Sequence, residues 1–380
     1  MSGESSQSQQ MEILSRLAIG GEKGIEDSQR RDNLHKLQRE LRYAARLNEQ
    51  EFANFVELAN THHVIVRALS VLQDVEALGP WGSMADQQRA EELQRKCDTA
   101  LDNERVRIDR AIGYLHSICD VLEARGCRVA VIKSLDHWPD LGSDLDLYTT
   151  ASQRTVKQIM REAFGAHCVE RSWGDRLANK WNFSVPGLPE LVEIHVRYLG
   201  QTGEHAELAR RVIERGVEKN VGGYGFRVAA PEERIVISTL QRVYRHYYFR
   251  LCDMIDTAAL LRNGDVDFAD LKGAAEAAGI WEGVATYLCL IQNYIQSYGG
   301  IVSLPEAVRN SARSPNSTVQ FKNGYLRVSK VTGAKLYSSQ LLSAGKKGDV
   351  RALLRLPLLP PLAISALVAH SLTGNDKGIW

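Results

Sequence analysis

The stretch from residue 129 to 148, VAVIKSLDHWPDLGSDLDLY, constrains this chain more than any other. It opens on a short apolar run, Val129-Ala130-Val131-Ile132, and breaks at Lys133-Ser134. After a turn-like passage with Pro139 and Gly142 it closes on Asp144-Leu145-Asp146-Leu147-Tyr148. Short apolar runs bounded by breakers predict two strands joined by a polar excursion. Side chains two apart in a strand share a face, so Asp144 and Asp146 point one way while Leu145 and Leu147 point into a core. Neighbouring carboxylates raise each other's pKa unless a counter-charge lies beside them. In phosphoryl chemistry that counter-charge is commonly a divalent ion. The same alternation also describes an edge strand with one solvated face, so the pair needs company before it means chemistry.

Company comes from Ser134, ten positions before Asp144 at the end of the first run, and from Glu193 in the later run LVEIHV. That run alternates too, placing Glu193 and His195 on one face and Val192, Ile194 and Val196 on the other. Set beside the Asp144–Asp146 strand, Glu193 completes a carboxylate triad. Such a triad holds two divalent ions roughly 3.5–4 Å apart and stabilises the attacking and leaving oxygens of an in-line displacement.

Strand end, Ser134, loop, Asp144-x-Asp146 and a distal Glu193 resemble the polymerase-beta-type nucleotidyltransferase superfamily. More closely, VIKSLDHWPDLGSDLDLY followed by LVEIHV resembles the bacterial family of uncharacterised nucleotidyltransferases, over about residues 33–300. One position departs: the superfamily has Gly before the serine, and here Lys133 stands there. The resemblance implies a metal-dependent enzyme that binds a nucleoside triphosphate, ATP among the possible donors. Asp144, Asp146 and Glu193 would be its catalytic and metal-ligating groups, with magnesium or manganese as the ion. Lys133, Ser134, Ser143 and Lys180 are the candidate nucleotide contacts. For Lys180, as for Arg171, a solvated surface cation is an equally good reading.

The fold class expected is α/β (α+β), a small mixed-sheet core flanked by N- and C-terminal helical regions. Residues 1–31 read as a disordered polar tail, 32–125 as a helical region, and 126–230 as the α/β core. Residues 231–300 read as a C-terminal helical domain and 301–380 as a basic and apolar segment. The 380 residues suffice for two or three units around a substantial core. Lys+Arg 47 against Asp+Glu 46 leaves a net charge of +1, which argues against a long nucleic acid as partner. The six cysteines are scattered without a C-x-x-C pair, favouring buried thiols and a reducing cytoplasm over disulfides or zinc. The N-terminus lacks the apolar core of a signal peptide.

Within the N-terminal region, His62-His63 is a poor metal pair, since neighbours on a helix face different ways; one is expected buried, the other exposed. The segment 79–83, GPWGS, reads as a break, and a long helix then runs to a stop at Gly126. Strand-like runs are expected at 168–171 and 179–185, and a helix over 233–249. The cluster RVYRHYYFR within that helix could stack a base or hold phosphates, but buried rings with snorkelling arginines are the more economical reading. Asp253 and Asp256, one turn apart, are expected to pair with those arginines in a structural role.

From Pro305 to Arg355 ten lysines and arginines face only Glu306 and Asp349, and the apolar run 356–369 follows. Its prolines leave a helix of about a dozen residues, short of the roughly 20 that span a bilayer. Residues 305–370 therefore either make a peripheral membrane or protein contact, at the inner membrane face, or pack back on the helical domain. Function then divides in two. The chain transfers a nucleoside monophosphate from a nucleoside triphosphate to a hydroxyl-bearing acceptor of unknown type, releasing pyrophosphate. Alternatively, an inactive nucleotidyltransferase fold serves as a binding or scaffold module in a membrane-associated, exopolysaccharide-type assembly.

Overall fold

The computed structural model describes residues 2–20, 39, 40, 42–73, 84–362, 364, 365 and 368. Within them a mixed seven-stranded sheet is flanked by helices from both ends of the chain. The strands are β1 (Val129–Val131), β2 (Asp144–Thr149), β3 (His167–Cys168), β4 (Lys180–Ser184), β5 (Leu191–Val196), β6 (Val217–Val221) and β7 (Tyr224–Val228). Their order is β3-β4-β5-β2-β1-β7-β6. Three more short strands, β8 (Tyr248–Phe249), β9 (Gln320–Lys322) and β10 (Tyr325–Arg327), form a second sheet in the order β8-β10-β9.

Strands β2 and β5 are neighbours and run parallel, with Asp146 opposite Glu193 and Tyr148 opposite His195. Because the period of a strand is two, this register puts the carboxylates on one face and Leu145, Leu147, Val192 and Ile194 on the other, where all four are fully buried. Strand β4 runs antiparallel on the far side of β5, with Lys180 opposite His195. The long helix Met84–Ala124 delivers the chain to β1 and packs on β1 and β7, ending at Gly126 with a positive φ of 78°. Glycine adopts that left-handed stop without the strain a Cβ would bring.

Several expectations need correction. Ser2–Gly20 is a helix, not a disordered tail, and its Leu14, Leu17 and Ile19 are buried in the main core. The polar run MSGESSQSQQ at the start masked the apolar spacing that begins at Met11. Residues 21–31 of that expected tail, and the break at 79–83, lie outside the described residues. The first strand of the 168–171 run stops at Cys168, because Ser172 and Asp175 form a reciprocal cap that starts the helix Trp173–Ala178. The helix expected over 233–249 ends at Thr239, continues as a π-helical turn from Leu240 to His246, and gives way to β8. Of the six free cysteines, Cys168 is exposed rather than buried.

The described part of the C-terminal segment packs back on the core. Arg351 donates to the Gly203 carbonyl at 2.7 Å and lies 3.5 Å over the Tyr198 ring, and Arg355 donates to the Leu177 carbonyl at 2.8 Å. Tyr337 ties the helix Lys330–Lys347 to the Leu356 carbonyl. Among the described residues no helix is long and apolar enough to cross a membrane.

Both His62 and His63 are buried, so neither faces solvent as expected for one of them. His62 accepts the Leu251 backbone N–H on Nδ1 at 2.9 Å, which leaves Nε2 to donate to the Gly324 carbonyl at 3.1 Å. A proton on Nδ1 would set one N–H against another. Burial pushes the His62 imidazole down to about 4, although the bond to Gly324 favours the charged form. An unfolded histidine protonates near 6.5, so the unfolded chain takes up this proton while the folded one still resists it. Stability attached to His62 is intact above about pH 6.5 and is lost progressively towards pH 4, by about 3 kcal/mol in total. Urea unfolding of wild type and His62→Gln at pH 7.5, 5.5 and 4.5 measures this directly. Wild type should lose more stability on acidification than the variant; equal losses would contradict the assignment.

Candidate active site

The turn between β1 and β2 determines the geometry of the carboxylates. Ser134 opens a short helical turn, Ser134–His137, and its hydroxyl is buried. That hydroxyl donates to the Asp144 carbonyl at 3.1 Å and accepts from the Asp146 backbone N–H at 2.7 Å. Ser134 thus clamps the strand that carries both aspartates. Lys219 holds the same turn through the Leu135 carbonyl at 2.6 Å, and Arg234 pairs with Asp136 at 2.6 Å.

Further along, Asp140 accepts the backbone N–H groups of Val66 and Arg67, which begin the helix Ile65–Gln73. The positive end of that helix is thereby tied to the active loop.

Five side chains then converge, with Asp144 at their edge. Asp146 is buried, and the Lys133 ammonium lies 2.5 Å from one of its oxygens and 3.7 Å from Glu193. Glu193 also takes Lys180 at 2.9 Å and His195 Nε2 at 2.8 Å. Lys180 is itself buried and held by Asp175 at 2.7 Å, so it is no surface cation. Asp144 sits nearer the rim, where Ser143 offers a hydroxyl at 3.3 Å. Arg171 goes elsewhere: it stacks 3.8 Å over Trp181 and donates to the Asp175 carbonyl.

The electrostatics divide these groups. Burial pushes Asp146 up to about 7, with Lys133 opposing the shift. Burial also raises Asp144, helped by the charge of Glu193. For Glu193 burial is outweighed by Lys180, Lys133 and the His195 hydrogen bond, which hold it well below the usual carboxylate range. Burial keeps His195 below its ordinary range, hence neutral, and its Nε2–H donates to Glu193.

The ligand atoms of Asp146, Glu193 and His195 lie within 4.8 Å of one another. Hard carboxylate oxygens facing each other across two strands, with Asp144 beside them, are the donor set that magnesium or manganese takes. The residues therefore fit a divalent cation, and Lys133 and Lys180 lie against the same carboxylates.

All seven expected residues line or support one cleft of about 230 Å³. It is also lined by Arg242, Arg245, His246 and Arg250 from the π-helical turn and the residues after it, and by His63 and His137. The snorkelling reading of these arginines fails for Arg242, which is 3% exposed and paired with Asp253 at 2.7 Å. Asp256 pairs instead with Arg67 and His137. The density of cations in RVYRHYYFR was the available signal; nothing local said that a π turn would aim them inward.

Comparison with known proteins gives two findings. A family model described as "Uncharacterised nucleotidyltransferase" matches residues 48–296. Among solved structures, an antigenic nucleotidyltransferase-like protein from Paracoccidioides brasiliensis aligns over 43% of this chain and 84% of its own, with 14% identity and a TM-score of 0.30. No curated protein matches the sequence.

Proposed function

The chain belongs to the uncharacterised nucleotidyltransferase family, and from that premise we propose that it transfers a nucleoside monophosphate from a nucleoside triphosphate to a hydroxyl acceptor. The observation that carries this reading is the pair of buried Asp146 and half-buried Glu193, in register on parallel strands and compensated by Lys133 and the buried Lys180. A fold does not bury such a quartet without cost, since each charge loses its hydration. Asp144, Asp146 and Glu193 would hold magnesium or manganese. When bound, the cation supplies charge that neutralises the phosphates and acidifies the acceptor hydroxyl.

The chain's own residues account for the remaining parts. Lys133, on a flexible four-carbon stem 2.5 Å from Asp146, can turn from the carboxylates to phosphate oxygens. Ser134 keeps Asp144 and Asp146 in place while this happens. Arg245 and Arg250, in the same cleft, supply further donors for the triphosphate. The acceptor oxygen bonds to the α-phosphorus, the bond from that phosphorus to the bridging oxygen breaks, and pyrophosphate leaves with the electron pair. The acceptor proton passes to Glu193, whose basicity rises once Lys133 has moved away, and His195 orients that carboxylate.

Exposed Val331, Leu342, Val350 and Leu354, set among the lysines of the C-terminal helices, are where a membrane or protein contact through residues 305–370 would rest. Incubation with α-labelled nucleoside triphosphates, magnesium and pools of sugar, aminoglycoside-like, protein and RNA-end hydroxyls tests the transfer. Label should appear in one acceptor class with equimolar pyrophosphate. Binding of nucleotide without pyrophosphate release in any pool would leave the scaffold reading in its place.

A further inference from the structure

A second cavity of about 70 Å³ adjoins the cleft, the two sharing Lys133, Gln241 and Arg245 in their walls. Its sides are largely apolar, from Leu199, Leu208, Ile237 and Leu240. Gln340, His195 and Gln201 among its lining residues carry buried polar atoms without a hydrogen-bond partner among the described residues. Gln340, on the helix Lys330–Lys347, is 2% exposed, and among the described residues neither its amide oxygen nor its amide nitrogen has a hydrogen-bond partner. His195 Nδ1 and Gln201 Oε1 line the same cavity, also buried and unpartnered. Glu204 lines it too, but its oxygens accept the backbone N–H groups of Gln201 and Thr202. Buried polar atoms are nearly always bonded, so this many at one cavity mark a missing occupant. A single water needs only about 10–15 Å³, far less than the space here.

We infer that this cavity takes the nucleobase of the donor nucleotide, and that it selects a base bearing an exocyclic amine. The inference rests on the nucleotidyl-transfer reading of the adjoining cleft. Its chemistry follows from the unpaired atoms. With Nε2–H given to Glu193, His195 Nδ1 is an acceptor, and Gln201 Oε1 is another. The Gln340 amide offers one donor and one acceptor side by side. An occupant must therefore bring more N–H donors than a carbonyl-rich ring has. Adenine, guanine and cytosine each place an amine beside a ring acceptor or donor, the edge that a glutamine amide reads in a bidentate way. Uracil presents one ring N–H between two carbonyls and leaves the acceptors of the cavity unpaired. The apolar walls suit the faces of the ring. Gln340 lies beyond the residues that the family model matches, so this selectivity is a property of the chain's own C-terminal segment.

The test measures binding of ATP, GTP, CTP, UTP and base-free inorganic triphosphate, each with magnesium, to the full chain and to Gln340→Leu. Leucine fills the site without an unpaired amide, so the variant should fold at least as well as wild type. Should it fail to fold, Gln340→Met takes its place, and the wild-type series stands by itself. At least one amine-bearing nucleotide should bind tenfold or more tighter than UTP and inorganic triphosphate, and the variant should lose that margin while keeping its affinity for triphosphate. Equal binding of all four nucleotides and triphosphate, with no change in the variant, would overturn the base pocket and leave the phosphate site standing. Failure of every probe, inorganic triphosphate included, would overturn the cleft reading and this inference with it.

Discussion

Replacing Asp146 with asparagine should abolish transfer, lowering kcat by about three orders of magnitude or more while the protein stays folded. The size of the loss follows from position. Asp146 is buried at the centre of the carboxylate cluster, in register with Glu193 and within reach of Lys133. Neutralising it removes the charge that would hold a cation against the phosphates, an interaction worth several kcal/mol in the transition state. Each 1.36 kcal/mol is about a factor of ten in rate. Folding should survive because asparagine has nearly the same shape, and because burial already works against the charge, pushing the carboxyl up to about 7. The bond to the Ser134 hydroxyl is donated by the backbone N–H at position 146 and persists. Melting temperature and steady-state kinetics separate the two effects; a variant with near-normal kcat would remove Asp146 from the chemistry.

The largest loss of stability is expected at Asp256, which has no part in that chemistry. Its carboxylate is buried and takes Arg67 at 2.7 Å on one oxygen and His137 at 2.6 Å on the other. Burial opposes its ionisation, yet Arg67 and His137 together keep its pKa below the usual range. His137 is held charged in return, well above the ordinary histidine range, against the cost of its own burial. Asp256→Ala strips the half-buried His137 of its carboxylate and leaves Arg67 only Asp140, at 3.7 Å, and the Trp138 carbonyl, which costs about 3–5 kcal/mol. An exposed pair makes the comparison. His116 and Asp120 lie one helical turn apart near the surface, and Asp120→Ala should change stability by less than about 0.5 kcal/mol. Denaturant unfolding of both variants measures the contrast. Similar small losses in the two would mean that the Asp256 network is not the brace described. Because His137 belongs to the loop that carries Ser134, nucleotide affinity should weaken along with stability in Asp256→Ala.

What was legible in the sequence was local and periodic. DLDLY and LVEIHV alternate with period two, so the face shared by Asp144 and Asp146, and by Glu193 and His195, could be read directly. Their resemblance to the family suggested that the two strands meet. What could not be read was set by contacts between segments far apart in the chain. Lys180 is buried because Glu193 and Asp175 compensate it, and a lone lysine gives no hint of that. Asp256 looked like a partner for nearby arginines, yet it pairs with Arg67 and His137, which reach it through the packing of two distant helical turns. The π-helical turn at Leu240–His246 overrode the simple helical reading and turned arginines inward. At the N-terminus, the polar run MSGESSQSQQ outweighed an apolar face that begins at Met11. Gln340 sat unnoticed in a basic stretch, because its meaning lies in what surrounds it rather than in its neighbours along the chain.

Binding of a nucleoside triphosphate in this cleft, through a cation held by Asp144 and Asp146, is the step on which the proposed transfer depends. Thermal unfolding tests it most directly. Wild type and the double variant Asp144→Ala/Asp146→Ala are compared with each nucleoside triphosphate, with and without magnesium or manganese. A ligand at about a hundred times its dissociation constant stabilises the folded state by about 2.7 kcal/mol, enough to move the midpoint visibly. Wild type should show a rise that requires both metal and nucleotide and is absent from the variant. No rise with any nucleotide, or an equal rise in the variant, would contradict that binding.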